Sequence, residues 1–272
     1  MKEIVIKPHE KFSLLDLEEL WRFRDLFYIF AWRDIKVRYK QTTIGIAWVV
    51  LQPTITMLLF TILFGNLHTT FHSTLPYPIF VLIGLIFWMY FSESLTQASN
   101  AFIENEKIIK KVYFPKEILP MSAILTRSID FLITLSLLFM IMALYGVKIS
   151  MLLFITIPIS YVLTSLFVMG LGLFLSSLNV KYRDVRYALP FFTQVIFFAT
   201  PVIYSTEIVN KSFRYIFLLN PLSGAIEITR QAVNGSSVDY YTLIFSFFMS
   251  LLVYLGGLVY FRSTEQYLAD IV

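Results

Sequence analysis

Six long apolar stretches, separated by short polar segments, dominate the chain: 43–66, 78–101, 120–145, 151–178, 187–204 and 240–261. Each is close to or longer than the ~20 residues with which a helix crosses a bilayer. The first would extend about 36 Å at 1.5 Å per residue, enough to cross with some tilt. Pro53 and Pro158 lie inside two of these stretches. A membrane helix tolerates such a kink when neighbouring groups satisfy the freed backbone. The segment 205–239 breaks the rhythm. Phe213–Ile228 is apolar, yet Asn220-Pro221-Leu222-Ser223-Gly224 interrupts it and Arg214 and Glu227 fall within it. Each half is too short to span, so the pattern predicts two short helices that lie at the outer interface or dip in and return. Ahead of the first span, Leu14, Leu17, Leu20, Trp21, Phe27, Tyr28 and Ile35 fall mostly at helical spacing among charged residues. Leu14–Lys40 therefore predicts an amphipathic helix along the inner membrane surface. As a pattern, it serves equally as a simple anchor or as a contact for a partner.

The basic residues orient this arrangement. Lys and Arg number nine in residues 1–42, four in 102–119, three in 179–186 and one in the tail 262–272. The opposite side holds only Lys148, Lys211, Arg214 and Arg230, and Arg127 sits inside the third span. An excess of cations marks the cytoplasmic side, which puts both termini there and requires an even number of crossings. The expected fold is all-α and polytopic: one transmembrane domain over 1–272 with six spans. A cytoplasmic lead (1–42) carries the surface helix, and two short outer helices lie between spans five and six.

Composition agrees with the pattern and removes several functions. Of 272 residues, 57% are hydrophobic and 15% charged, against about 45–50% and 25% in soluble domains, so most of the surface must face lipid. The net charge of +4 and pI near 9.1 follow from topology, and nucleic acid is not an expected partner. No Cys is present, which excludes disulfides and thiolate chemistry. The charged opening MKEIVIKPHEKFS lacks the apolar core of a secretion signal. None of the ten Gly residues precedes a Lys, so the phosphate loop of nucleotide hydrolases is missing. His68 and His72 have an i,i+4 spacing but no third ligand nearby, so no metal site is expected. No nucleophile elbow or membrane-embedded Ser/His pair is visible either.

Two groups of residues within the spans carry chemistry. Glu93 lies about 12 Å and Arg127 about 10 Å from the inner end of their helices, with Asp130 one turn further. A Glu93–Arg127–Asp130 cluster is therefore geometrically possible, serving as a lock between helices or taking part in transport. Trp48, Gln52, Thr56, Phe60 and Phe64 follow a four-residue spacing along span one. Tyr187, Phe191, Gln194, Phe198 and Pro201 run similarly along span five, while Trp88, Tyr90 and Phe91 cluster in span two. Aromatic faces with interspersed Gln and Thr suit a sliding sugar chain; the same residues suit helix packing or an interface belt. On the inner side, Asn105 to Pro115, with Lys107, Lys110 and Lys111, forms a short basic knob that a cytoplasmic motor could grip. It also simply obeys the positive-inside rule.

At this point the residues resemble a known family. The runs Leu20-Trp21-x-Phe23-Arg24-Asp25-Leu26 and Trp32-Arg33-Asp34-Ile35-Lys36-Val37-Arg38-Tyr39-Lys40-Gln41-Thr42-x-x-Gly45-x-x-Trp48 come first, followed by Gln52-Pro53. Lys110-Lys111-Val112-Tyr113-Phe114-Pro115-Lys116-Glu117-x-Leu119-Pro120 follows, then Leu178-Asn179-Val180-Lys181-Tyr182-Arg183-Asp184-Val185, Pro201-Val202-x-Tyr204 and Asn220-Pro221. In this order they resemble the membrane subunits of polysaccharide-exporting ABC transporters of the type-2 export superfamily, which serve O-antigen, capsule and teichoic acid.

The resemblance implies a channel made by two copies of the chain, with two separate ATPase subunits that bind ATP and Mg docked beneath. No cofactor is implied for this chain, and it is not itself an enzyme. The implied cargo is a glycan on a lipid such as undecaprenyl diphosphate, moved through the bacterial inner membrane. Asp16, Glu19, Arg22, Arg24 and Asp25 of the interface helix, with Asn105, Lys107, Lys110 and Lys111 of a coupling helix over Glu104–Tyr113, are the expected ATPase contacts. Thr206–Asn234 would form two outer gate helices. Trp48, Gln52, Thr56, Phe60, Phe64, Trp88, Phe91, Gln194, Phe198 and Tyr204 are the expected channel lining. Arg33, Arg38 and Lys40 sit where a diphosphate head group would arrive, or act as plain anchors. The long lead before Leu14 favours O-antigen as cargo over teichoic acid or capsule. A drug or lipid exporter of the same fold is the rival transport reading. A membrane-embedded glycan-modifying enzyme is the rival outside transport; it would need clustered acid/base groups at one face, where only Glu93 and Asp130 offer themselves.

Overall fold

A computed structural model of the chain describes residues 17–40, 45–69, 75–206, 217 and 219–271. Among these residues there is no strand, and ten helices follow one another: α1 (Leu17–Arg22), α2 (Arg24–Lys40), α3 (Ile46–Thr69), α4 (Tyr77–Glu104), α5 (Glu106–Ile109), α6 (Ile118–Leu144), α7 (Leu153–Lys181), α8 (Val185–Ala199), α9 (Pro221–Asn234) and α10 (Tyr240–Ile271). Helices α3, α4, α6, α7 and α10 are long and apolar enough to cross a membrane. The expected fifth span, 187–204, is shorter than its hydropathy suggests. Helix α8 has 15 residues, about 22 Å at the helical rise, and the chain then turns at Thr200–Tyr204.

Helix α4 is the axis of the bundle. Ile79, Leu82, Ile83, Phe87, Phe91 and Leu95 are all fully buried, enclosed by α3, α6, α7 and α9. A second apolar cluster gathers the opposite ends of these helices. Phe30 of α2 packs there with Phe102, Phe114, Leu119, Leu173 and Phe261. The basic ends of α4, α6, α7 and α10 thus meet α2 on one face, as their cation content predicts.

The N-terminal helix departs from expectation in two ways. It breaks at Phe23 into α1 and α2, and the buried positions of α2 are Phe30 and Ala31 rather than the predicted stripe. The reason is that α2 lies on the protein itself, against α6. Trp21, Tyr28 and Trp32 are left outward, with Tyr28 and Trp32 stacked 6.4 Å apart.

Of the two expected outer helices, α9 is described, and the first lies outside the described residues. The start of α9 is written in the sequence. The Asn220 side chain accepts the Leu222 N–H at 3.1 Å and Pro221 opens the first turn, while Gly235, at φ 71°, ends it in the left-handed conformation that glycine adopts without strain. Rather than lying on the surface, α9 is buried from Pro221 to Ile226 and from Ile228 to Arg230, packed on α7, α10 and α4.

Helices α7 and α10 touch backbone to backbone. A Cβ on Gly170 would lie 2.5 Å from the Val253 carbonyl oxygen and 2.6 Å from Tyr254 Cα. One on Gly257 would collide with the Gly170 carbonyl. Small residues permit this approach, which gives two membrane helices their packing energy. Gly170→Ala is expected to destabilise the protein by about 1–3 kcal/mol. Gly256→Ala, with open space around its new methyl, should be neutral or gain up to about 1 kcal/mol of helix propensity. Thermal unfolding of both variants in detergent checks the contrast.

Candidate functional site

Near the C-terminal end of α2, Arg38 reaches across to α4 and α6. Its Nη2 lies 2.8 Å from Asp130 Oδ2 and 3.2 Å from Glu93 Oε2. From α6, Arg127 Nη1 approaches the same Glu93 oxygen at 2.5 Å and Asp130 Oδ2 at 3.4 Å. Arg127 Nε donates to Gln97 Oε1 at 2.6 Å, and the Tyr39 hydroxyl donates to Asp130 Oδ1.

Helical spacing brings these groups together. Arg127 and Asp130 are three apart and Glu93 and Gln97 four apart, so each pair shares one face of its helix. Burial and the Asp130 carboxylate push the Tyr39 phenol pKa up, so it stays protonated as a donor. Two guanidiniums and two carboxylates make a formally neutral set. The four side chains are 12–29% exposed, and at this depth a charge survives only with its counter-charge beside it.

This network closes one end of a cavity of about 560 Å³ between α2, α3, α4 and α6. Trp48, Gln52, Met89, Tyr90 and Phe131 line the rest of it. On the other side of the same ion pairs lies a second hollow of about 590 Å³, walled by Arg33, Asp34, Gln97, Glu104 and Asn105. The charges thus form a partition between a polar recess among the basic helix ends and an aromatic cavity further along the bundle.

The expected residues fall in different places. Glu93, Arg127 and Asp130 come together, joined by Arg38. Arg33 pairs with Asp34 at 2.8 Å and stacks over Phe30, and Lys40 is exposed. On α3, Trp48, Gln52 and Phe64 are exposed, Thr56 bonds to the Gln52 carbonyl at 2.8 Å, and Phe60 meets Phe197 of α8 at 6.3 Å. Trp88 packs on Phe197 at 5.2 Å. Phe91 departs from the expected lining. It is fully buried and stacked on Phe167 at 5.2 Å, because its side of α4 faces α7, and so it presents no surface to a substrate. Gln194 and Phe198 are exposed on α8, and Tyr204 donates to the Phe198 carbonyl at 2.8 Å.

Among the expected ATPase contacts, Asp16 lies outside the described residues. Arg22 and Glu18 lie 3.7 Å apart, Arg24 and Asp25 3.9 Å, and all four are exposed. Glu19 accepts from Tyr113 at 3.3 Å, linking α1 to the segment after α5. Lys107 and Lys111 are exposed, and Lys110 pairs with Glu106 at 2.6 Å. Asn105 is a correction: it is buried and donates to the Ala101 carbonyl at 2.8 Å. It therefore caps the end of α4 rather than presenting a docking surface.

Sequence reading missed Arg230, which it counted as an outer cation. This guanidinium is buried and donates to the carbonyls of Phe80 (3.2 and 3.0 Å), Pro201 (2.7 Å) and Val202 (2.7 Å), 3.4 Å above the Phe80 ring. It ties α9 to α4 and to the turn after α8. A single Arg among apolar residues on a short helix was the available signal.

Membrane-length helices gathered around a charged cavity at their basic end define a multi-pass membrane protein with a polar recess leading toward its apolar interior. The model of the ABC-2 type transporter family matches residues 25–234, and the chain belongs to that family. It is a membrane transport subunit. It is similar to the O-antigen export system permease protein RfbA of Klebsiella pneumoniae, with 26% identity over 249 residues, 91% of this chain and 95% of that protein. RfbA of Myxococcus xanthus is 30% identical over 211 residues, 76% and 79% of the two chains. The polysialic acid transport protein KpsM of Escherichia coli is 25% identical over 247 residues, 86% and 91%.

If the four charges act as one unit, their losses are not additive. Arg127→Met leaves two carboxylates sharing Arg38 and is expected to cost about 1–3 kcal/mol. Adding Glu93→Gln should return about 0.5 kcal/mol or more of that loss. Thermal unfolding of the two single variants and the double variant measures the coupling; strict additivity would show that the charges act independently.

Proposed function

We propose that this chain is the permease of an ATP-driven exporter that moves a lipid-linked polysaccharide, of O-antigen type, out through the bacterial inner membrane. The observation that carries the reading is similarity along nearly the whole chain to O-antigen permeases and a polysialic acid transporter. Support comes from the exposed aromatic and amide side chains of α3 and α8, and from the cavity that Trp48 and Gln52 of α3 line.

In this reading two copies pair through α3 and α8. Both helices are apolar and expose most of their side chains in the single chain, Leu189 being the one buried side chain of α8. With α8 and the turn after it as the sixth crossing, both termini lie in the cytoplasm, as the cation count requires. Two ATPase subunits, which bind ATP and magnesium, dock against α1, α2 and α5. Their closure on ATP pushes on these helices, and the Arg38 network carries that push to α4 and α6. Trp48, Gln52, Phe64, Gln194 and Phe198 line the path on which sugar rings slide, and Lys40 and Arg33 meet the anionic head group at the membrane surface. Similarity to KpsM supports capsule polysaccharide as the second reading of the cargo.

Co-purification with the ATPase encoded beside it, followed by ATP hydrolysis with and without undecaprenyl-linked glycan, tests the proposal. A two-plus-two complex stimulated by glycolipid is expected, whereas stimulation by amphiphilic drugs alone would replace the cargo. Trp48→Ala and Phe198→Ala are expected to lower export several-fold while the ATPase stays bound. The double variant Lys107→Glu, Lys111→Glu should release the ATPase. Normal export in both aromatic variants would remove the channel assignment.

A further inference from the structure

We propose that the cavity between α2, α3, α4 and α6 is a binding subsite for an uncharged, hydroxyl-bearing sugar residue of the exported glycan, and that the phosphate of its carrier stays outside. The inference rests on the polysaccharide reading above and adds to it a place and a chemical division of the ligand. The cavity, at about 560 Å³, falls within the ~300–1,000 Å³ of small-ligand sites.

Charge decides what enters. Arg38 and Arg127 point at the cavity and would attract phosphate if they stood alone. Each is held within hydrogen-bond reach of Glu93 and within 2.8 and 3.4 Å of Asp130. A diphosphate placed there would face two carboxylates in a set that is already neutral, so it would bring uncompensated negative charge to membrane depth. An acyl chain would be no better, since it would cover a carboxylate oxygen without donating to it.

Hydroxyls fit both demands. Both guanidiniums bind Glu93 Oε2, while Oε1 accepts no hydrogen bond from any described residue. A ligand hydroxyl donating to Oε1 makes a charge-assisted bond with no change in the network. The exposed Gln52 amide lines the same cavity and offers both a donor and an acceptor. Trp48, 57% exposed, adds an aromatic surface for the apolar face of a ring. Lys40, exposed at the end of α2, stands outside the cavity and is available to the phosphate.

The test uses the permease–ATPase complex in nanodiscs, with Trp21, Trp32 and Trp88 replaced by Phe, and the signal of a matched complex that also carries Trp48→Phe is subtracted so that the difference reports Trp48. Methyl glycosides of glucose, galactose, mannose, rhamnose and N-acetylglucosamine are titrated, with inorganic pyrophosphate as the anionic probe. Saturable quenching by at least one glycoside is expected, weakened about tenfold by Glu93→Gln and by Gln52→Leu, with no competition from pyrophosphate. Gln52 lies outside the ion pairs, so its variant keeps the test meaningful if Glu93→Gln unfolds. Quenching or competition by pyrophosphate would overturn the proposal in favour of a phosphate site. Absence of quenching by every glycoside, in a complex whose ATPase still responds to glycolipid, would overturn the subsite and leave the exporter standing. Loss of both responses would overturn both.

Discussion

A charge that reaches membrane depth must bring its counter-charge with it, because neither hydrocarbon nor a helix backbone with satisfied hydrogen bonds will neutralise it. Much of this structure follows from how that requirement is met. Glu93, Arg127 and Asp130 cannot be balanced by α4 and α6 alone, since those helices supply two carboxylates and one guanidinium. The missing cation comes from Arg38. Because Arg38 belongs to α2, neutrality at depth fixes a helix of the basic end against two long membrane helices. Tyr39 adds a neutral donor to Asp130 beside it. The junction therefore ties α2 to α4 and α6 through charges that none of the three helices balances alone.

Apolar packing sets the remainder around this junction. Helix α4 is enclosed almost along its length, so it behaves as the fixed member against which others lean. Helices α3 and α8 do the opposite. They touch the bundle along narrow lines, meet each other through Phe60 and Phe197, and leave broad apolar faces outward. Lipid can cover a Leu or an Ile at no cost. It gives nothing to Gln52 or Gln194, whose amides need partners of their own. The polar members of the exposed stripes are therefore better evidence of a second copy or a substrate than the aromatic residues beside them.

The sequence carried the long helices well because hydropathy is local: a span is recognised from its own residues. The same was true of the start of α9, where Asn220-Pro221 announces a cap, and of Arg127 with Asp130, which share a face by their spacing. What escaped depended on a second element. Phe91 reads as a pathway aromatic along α4, but Phe167 of α7 decides that it faces inward. Asn105 reads as a polar loop residue until the Ala101 carbonyl claims its amide. Arg38 reads as a surface cation, and only the meeting of three helices makes it a partner of Glu93. The break at Phe23 and the burial of Phe30 likewise follow from where α2 lands, which no periodicity within α2 specifies.

Arg230 extends the argument to a cation that no carboxylate among the described residues pairs with. Its charge is met by the carbonyl oxygens of Phe80, Pro201 and Val202 and by the face of the Phe80 ring. Val202 sits where α4 is thinnest, since a Cβ on Gly84 would lie 2.6 Å from its carbonyl oxygen. The turn after α8 must leave helical geometry to free these carbonyls, and a free carbonyl inside a bundle needs a donor. Arg230 supplies that donor, and the turn in turn supplies the polar surroundings that allow an arginine to be buried. The place of Arg230 among the outer cations stands, since it binds Phe80 at the end of α4 away from the basic ends. For mechanism it matters more. Any movement of α9 must either carry α4 and the Pro201–Val202 turn with it or break a guanidinium away from three acceptors at once.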